Sequence, residues 1–180
     1  DIADQVGVSR AAVCRVLNDQ SIRIGEEKRR QIKELADQLG YRPDVTARAL
    51  RGKKTKAIGV VVPSLHTAFY PELISAMADK LFPHSYQTLI CNTADRPDWE
   101  RRQLDDLLQR RVDGLVVSPT VGEVNRAWLE RINQRECPVI LFDRYWPESR
   151  LPYVTTDNYA AAEQGVCWLA KQGVRRLFYM

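Results

Sequence analysis

In the first forty residues, apolar side chains recur every three or four positions, which is the spacing of an amphipathic helix. This pattern predicts a first helix that ends at Gly7 and a second helix that begins after Ser9, a favoured N-cap residue. It predicts a third helix over 26–39, with Gly40 as its terminator. The positions expected to face a common core are Ile2, Ala3, Val6, Val13, Val16, Leu17, Ile32, Leu35, Ala36 and Leu39.

The second predicted helix has an outer face of long cations and short side chains. That face consists of Arg10, Ala11, Cys14, Arg15 and Asn18. Short helices joined by a three-residue turn form a helix-turn-helix unit, and an ordinary helical hairpin is the alternative interpretation. A slim helix can enter the major groove of DNA, where Arg10 can donate two hydrogen bonds to guanine O6 and N7. Ser9 and the amino terminus of the helix are placed to hold a phosphate.

After residue 56, apolar runs alternate with amphipathic segments. The predicted strands are 57–63, 87–93, 113–119, 139–144 and 176–180, and the predicted helices are 71–81, 98–111, 124–135 and 160–172. Strands that are apolar on both faces and separated by helices indicate a parallel sheet covered on both sides. The expected fold class is therefore a small all-α helix-turn-helix head followed by an α/β core with a parallel sheet.

Ligands of such sheets bind beyond the carboxyl ends of the strands. The candidate residues at those ends are Ser64, Phe69, Tyr70, Ser118, Asp143 and Arg144, together with residues 92–95. Hydroxyls, a carboxylate and aromatic faces suit a polyhydroxylated small molecule. Asp143 can accept two sugar hydroxyls, and Phe69 or Tyr70 can stack on the sugar ring. Arg144 either binds a phosphate on the ligand or forms an ion pair that points outward.

Charge is distributed unevenly along the 180 residues. The net charge is +4, and residues 42–56 hold six cations against one acid, which indicates a local contact with a polyanion. Within this stretch "DVTARALR" has helical composition but only eight residues, fewer than the roughly 12 to 15 that an isolated helix needs. We expect it to fold on binding, with Leu50 as a wedge in the minor groove. A solvated charged linker is the alternative.

Several function classes lack their sequence signatures. The cysteines are Cys14, Cys91, Cys137 and Cys167. Their spacing, with only two histidines in the chain, indicates neither a disulfide framework nor a zinc site. The sequence contains no GxGxxG, GxxxxGK[ST] or GxSxG motif, so we expect no enzyme, catalytic residue, metal or cofactor. The sequence shows neither a leader nor a long apolar run, and the scattered cysteines favour reduced thiols and hence a cytoplasmic location. We expect the chain to be a fragment, because it begins at Asp1 without a methionine and ends inside a predicted strand.

Three segments, "DIADQVGVSRAAVCRVLN", "LGYRP" and "TARALRGKKTKAIGVVVPSL", occur in an order that closely resembles LacI/GalR-type bacterial transcription regulators. The resemblance extends over essentially all 180 residues. It implies a core like that of periplasmic binding proteins, built from two Rossmann-like lobes. The implied parts are a DNA-binding head over 1–43, a hinge helix and linker over 44–55, a first effector-binding lobe over 57–155 and the start of a truncated second lobe over 156–180.

The resemblance also implies roles for individual residues. It places base-reading residues at Arg10, Ala11 and Cys14, and supporting DNA contacts at Ser9, Arg15 and Asn18. Leu50 matches the leucine that enters the minor groove, and Ala47 lies with it in the hinge as a DNA contact. This chain departs from the family at Asp44, where asparagine is usual, and at Gly25, which replaces a serine-type cap. Both departures are expected to weaken DNA affinity slightly.

The function implied is that of a homodimeric repressor. Two heads bind a palindromic operator in double-stranded DNA, and a small effector, a sugar or sugar phosphate, shifts the population of core arrangements that permit binding. No membrane partner is expected. The alternative is a sugar-binding protein of the periplasmic-binding-protein type without DNA-binding function. The first 55 residues favour the regulator.

Overall fold

The computed structural model describes residues 1–18, 20–41 and 54–178. The chain divides into two compact units, Asp1–Lys53 and Lys54–Met180. The hinge residues Ala47 and Leu50, for which DNA contacts are predicted, lie outside the described residues. Across the described ranges, no helix has the length and apolar character needed to cross a membrane.

The described part of the first unit contains the three predicted helices, α1 (Ile2–Val6), α2 (Arg10–Leu17) and α3 (Glu26–Gln38). Gly7 ends α1 in the left-handed conformation at φ 66°, which glycine adopts without a steric penalty. The Ser9 hydroxyl accepts a hydrogen bond from the Ala12 amide at 3.1 Å and so caps α2. Gly25 begins α3 without a side-chain cap.

The core of the first unit centres on Val16 and Ile32, which are fully buried. Around them pack Ile2, Ala3, Val13 and Ala36, with Val6, Leu17 and Leu35 partly buried at the margin. The prediction that Leu39 belongs to this core is wrong, because its side chain is 57% exposed. Leu39 is the C-cap residue of α3, and its amide still donates to the Leu35 carbonyl at 3.0 Å. Its exposure shows that the shared apolar cluster does not extend to the end of α3.

Five parallel strands form the sheet of the second unit: β1 (Ala57–Val62), β2 (Gln87–Asn92), β3 (Gly114–Val117), β4 (Val139–Phe142) and β5 (Tyr153–Val154). Their order in the sheet is β2-β1-β3-β4-β5. The helices are α4 (Phe69–Leu81), α5 (Pro97–Gln109), α6 (Arg126–Arg135) and α7 (Asn158–Lys171), with a 3₁₀ turn at Phe82–His84. The predicted parallel α/β core is confirmed.

Two strand assignments differ from the prediction. Residues 176–178, the described part of the last predicted strand, have no regular secondary structure. Conversely, β5 was not predicted; its two residues are exposed, and it pairs with β4 through Leu141–Tyr153 and Phe142–Val154. A β-strand needs a neighbouring strand to pair with, and a local run of apolar residues does not show whether such a neighbour is present.

Helices cover the two faces of the sheet. The side chains of β1 alternate between these faces: Val61 packs in one apolar cluster with residues of α5 and α6, whereas Val60 and Val62 pack in another with residues of α4. In α7, by contrast, no residue is buried. Its ring side chains Tyr159 and Trp168 are exposed.

We expect Ile32→Ala to lower the free energy of unfolding of the first unit by about 2–5 kcal/mol, because it leaves a cavity in a small core. The matched change Leu39→Ala removes an exposed side chain and is expected to alter stability by less than about 0.5 kcal/mol. Urea denaturation followed by circular dichroism measures both. Equal destabilisation by the two changes would contradict the burial pattern.

Candidate functional site

The outer face of α2 carries the residues predicted to read DNA. Helical geometry places the side chains at i, i+1, i+4, i+5 and i+8 on one side of the helix. These positions are Arg10, Ala11, Cys14, Arg15 and Asn18, of which Arg10, Ala11 and Arg15 are exposed and Cys14 and Asn18 are half-buried. The face therefore offers two cationic side chains separated by short ones.

Three of the predicted DNA contacts also form hydrogen bonds within the first unit. The Ser9 hydroxyl is occupied by its cap bond to Ala12. The Asn18 amide nitrogen donates to the Cys14 carbonyl at 2.6 Å and lies 3.5 Å from the Cys14 sulfur. Arg10 is exposed, and its Nε donates to a carboxylate oxygen of Asp1 at 2.8 Å. The sequence pattern did not predict the Asp1 contact, because it joins residues in different helical segments.

In the second unit, a buried hydrogen-bonded group lies where β3, β4 and α4 meet. The Tyr70 hydroxyl donates to Asp143 Oδ2 at 2.7 Å and lies 3.2 Å from the hydroxyl of Ser118, which is completely buried. Burial raises the pKa of Tyr70, so its hydroxyl stays protonated and remains a donor at neutral pH. Thr155 donates to the main-chain carbonyl of Asp143 at 2.9 Å. The Asp143 carboxylate is thus held in one orientation.

Phe69 and Tyr70 have different surroundings. Tyr70 is buried and packs edge-on against Phe69 and Phe142, with ring centroids 5.1 Å and 6.1 Å apart. A buried ring cannot stack on a sugar, so that predicted role does not fit Tyr70. Phe69 is 47% exposed. It lines a cleft of about 450 Å³ together with Asp143 and with Thr155 and Thr156.

The two cleft threonines were missed because the strand before them, β5, was not predicted. Once β5 is assigned, the rule that ligands bind beyond strand carboxyl ends would have found them. The rest of the cleft wall is mainly apolar. It includes Leu73, Met77, Val116, Ile140, Phe142 and Val154.

Arg144 forms an ion pair, which is one of the two roles that the sequence left open. Its Nη1 donates to Asp95 Oδ1 at 2.7 Å, and the same oxygen accepts from the Val121 amide at 3.2 Å. The guanidinium therefore joins the loops that follow β2, β3 and β4. Ser64, at the end of β1, accepts a hydrogen bond from the His66 amide at 3.1 Å.

A buried carboxylate supports the loop after β3. Glu100 on α5 is fully buried, and its two oxygens accept from the Thr120 amide at 2.6 Å and from the Asn125 side chain at 2.7 Å. A buried charge is tolerated when both oxygens are hydrogen-bonded. The pair of contacts fixes the loop that begins at Ser118. Within the described ranges, no three His, Cys, Asp or Glu side chains are arranged to hold a metal ion.

Two families of known proteins match this chain. Residues 55–180 match the family model described as periplasmic binding proteins and sugar binding domain of LacI family. Residues 1–44 match the one described as bacterial regulatory proteins, lacI family.

Individual relatives match along nearly the whole chain. The sucrose operon repressor of Streptococcus mutans is 33% identical over 173 residues, which are 96% of this chain and 52% of that protein. The HTH-type transcriptional regulator KdgR of Bacillus subtilis is 33% identical over 178 residues, 99% of this chain and 50% of that protein. The chain thus spans about half the length of the curated relatives it matches.

Among solved structures, the lac repressor dimer bound to operator and the anti-inducer ONPF shares the fold. Its TM-score is 0.82 at 21% identity, and the match covers 98% of this chain and 53% of that one. At this identity the likeness concerns the fold alone.

Cys137 is expected to resist alkylation at neutral pH. Burial raises the pKa of its thiol to about 11, with the nearby acids Asp113 and Glu136 adding to the effect. Because the thiolate is the nucleophile, about one thiol in a thousand is reactive at pH 8, and each further pH unit raises that fraction about tenfold until pH 11. Exposed Cys167 is the internal control. Mass spectrometry after iodoacetamide treatment measures both, and equal labelling at pH 8 would refute the assignment.

Proposed function

Because the chain belongs to the LacI family of bacterial regulatory proteins, we propose that it is a sequence-specific DNA-binding transcriptional regulator that acts as a repressor under control of a small effector. The observation that carries this proposal is the outer face of α2, where exposed Arg10 and Arg15 flank short side chains on a capped helix. Such a face fits the major groove, where arginine recognises guanine.

The proposal assigns a part to each segment. Residues 1–43 bind DNA, and 44–55 form the hinge, in which Ala47 and Leu50 contact the minor groove. Residues 57–155 belong to the first effector-binding lobe and 156–180 to the second. By analogy with the lac repressor, which binds its operator as a dimer, the protein binds DNA as a homodimer. The two-fold symmetry of a homodimer implies a palindromic operator. It works in the cytoplasm and catalyses no reaction.

A sugar or sugar phosphate is the proposed effector. The matching family model is described as a sugar binding domain, and one relative is named a sucrose operon repressor. In this chain the fixed carboxylate of Asp143 can accept hydrogen bonds from sugar hydroxyls, and exposed Phe69 offers an apolar ring at the same cleft. Ser64, Tyr70, Ser118 and Arg144 orient the loops around that cleft. A sugar-binding protein without a DNA-binding role is disfavoured by the match of residues 1–44.

Selection from random duplex DNA at near-physiological salt tests the DNA-binding role. The purified protein is expected to enrich an inverted repeat. Arg10→Ala is expected to lower the preference for guanine at one base pair per half-site by about 1–3 kcal/mol, because a bidentate contact is lost. Leu50→Ala is expected to weaken binding mainly at the centre of the repeat, where a wedge would open a base step.

The matched control for this selection is Arg30→Ala in α3. Arg30 is exposed but lies on α3 and not on the outer face of α2, so its loss is expected to leave sequence preference unchanged. Recovery of the same repeat with undiminished guanine preference from Arg10→Ala would contradict the reading role. Recovery of no preferred sequence by the unaltered protein would contradict the proposed function.

Isothermal titration of the purified protein with a panel of hexoses and hexose phosphates tests the effector cleft. For the tightest ligand, Asp143→Ala is expected to weaken binding by about 1.5–3 kcal/mol, because hydrogen bonds to a charged acceptor are lost. Tyr70→Phe is expected to weaken ligand binding by about 0.5–1.5 kcal/mol, because it removes the hydrogen bond that holds the Asp143 carboxylate. Asp79→Ala, on the exposed side of α4, is the control. Unchanged affinity in Asp143→Ala would exclude this cleft.

A further inference from the structure

Asp1 joins the first two helices of the DNA-binding unit through its side chain. Its Oδ1 accepts from the Ala3 amide at 3.1 Å and caps α1. Its Oδ2 accepts from Nε of Arg10 at 2.8 Å. One carboxylate thus contacts both the first turn of α1 and the first residue of the helix proposed to enter DNA.

This ion pair contributes little to stability. The Arg10 side chain is 84% exposed and that of Asp1 is 34% exposed, and exposed pairs gain little because water screens them and two side chains must be ordered. Asp1, however, is already held by its cap bond to Ala3. The contact therefore restricts only the side chain of Arg10, and its effect is to orient the Arg10 guanidinium.

The atom that Asp1 engages determines which edge of the guanidinium stays available. The guanidinium group has five N–H donors in one plane. Nε and one terminal nitrogen share one edge of that plane, and the two terminal nitrogens share another. With Nε directed at Asp1, the two terminal nitrogens form the free edge. Guanine presents O6 and N7 side by side in the major groove, and two parallel donors match them.

We propose that Asp1 is a positioning residue that sets the base preference of Arg10. This inference rests on the proposed DNA-binding function and deepens it. Asp1 does not touch DNA. It holds the guanidinium before DNA arrives, so that the productive geometry is formed without ordering the side chain during binding.

Asp1→Ser separates the two roles of the carboxylate. Serine remains a good N-cap and keeps the bond to Ala3, but it cannot reach Arg10. The guanine-over-adenine preference at the base pair read by Arg10 is expected to fall about threefold to tenfold, a fraction of what removing a bidentate contact costs. The melting temperature is expected to stay unchanged. Asp1→Asn, which keeps the shape and the cap oxygen but removes the charge, is the second variant.

Two controls accompany the measurement. In an Arg10→Ala background, Asp1→Ser is expected to leave base preference unchanged, because the group it orients is gone. Asp157→Ser makes the same change at the N-cap of α7, where Asp157 accepts from the Ala160 amide at 2.9 Å, and is expected to leave DNA selection unchanged.

The outcomes distinguish the inference from the function it rests on. Unaltered guanine preference in both Asp1 variants, while the unaltered protein still selects an operator, overturns the positioning role and leaves the proposed function standing. A lower melting temperature of the Asp1 variants, with uniformly weaker binding to every sequence, would mean that Asp1 acts only as a helix cap. That result would also overturn the positioning role. No sequence preference in the unaltered protein contradicts the proposed function and this inference together.

Discussion

The parallel pairing of β1, β3 and β4 is the constraint on which the proposed effector cleft depends. Val61 pairs with Val117, and Val117 pairs with Leu141, so the three strands end at the same edge of the sheet. Ser118 and Asp143 follow those ends directly and come within reach of one tyrosine hydroxyl. A slip in register would reverse the faces of the side chains and separate these groups. The apolar residues on either side of β1 hold that register.

Surrounding contacts restrict the polar groups at this edge. Asp143 adopts a left-handed backbone conformation at φ 63°, which aspartate tolerates better than most residues. Thr155 donates to its carbonyl, and Tyr70, whose hydroxyl also lies against that of Ser118, donates to its carboxylate. Farther along the same edge, the Arg144–Asp95 pair and buried Glu100 tie the neighbouring loops together. These contacts hold the polar groups of the cleft in place.

The first unit depends on different interactions, because its three described helices share only a small apolar core. Two side-chain caps, Asp1 and Ser9, satisfy amides at the starts of α1 and α2 that would otherwise lack partners. Val16 and Ile32 are fully buried at the centre of this core. The outer face of α2 carries the Arg10–Asp1 ion pair and the Asn18–Cys14 bonds.

The sequence alone determined the elements whose signal is local. Helical periodicity, the glycine Gly7 and the Ser9 cap located α1 and α2, and apolar runs located β1, β2, β3 and β4, because these patterns follow from backbone geometry within a few residues. Tertiary structure alone decided the rest: the pairing of β5, the exposure of Leu39, the burial of Tyr70 and its bond to Asp143, and the Asp1–Arg10 contact. Tyr70 and Asp143 are separated by 73 positions. Contacts across such separations depend on how elements pack, and periodicity carries no information about that packing.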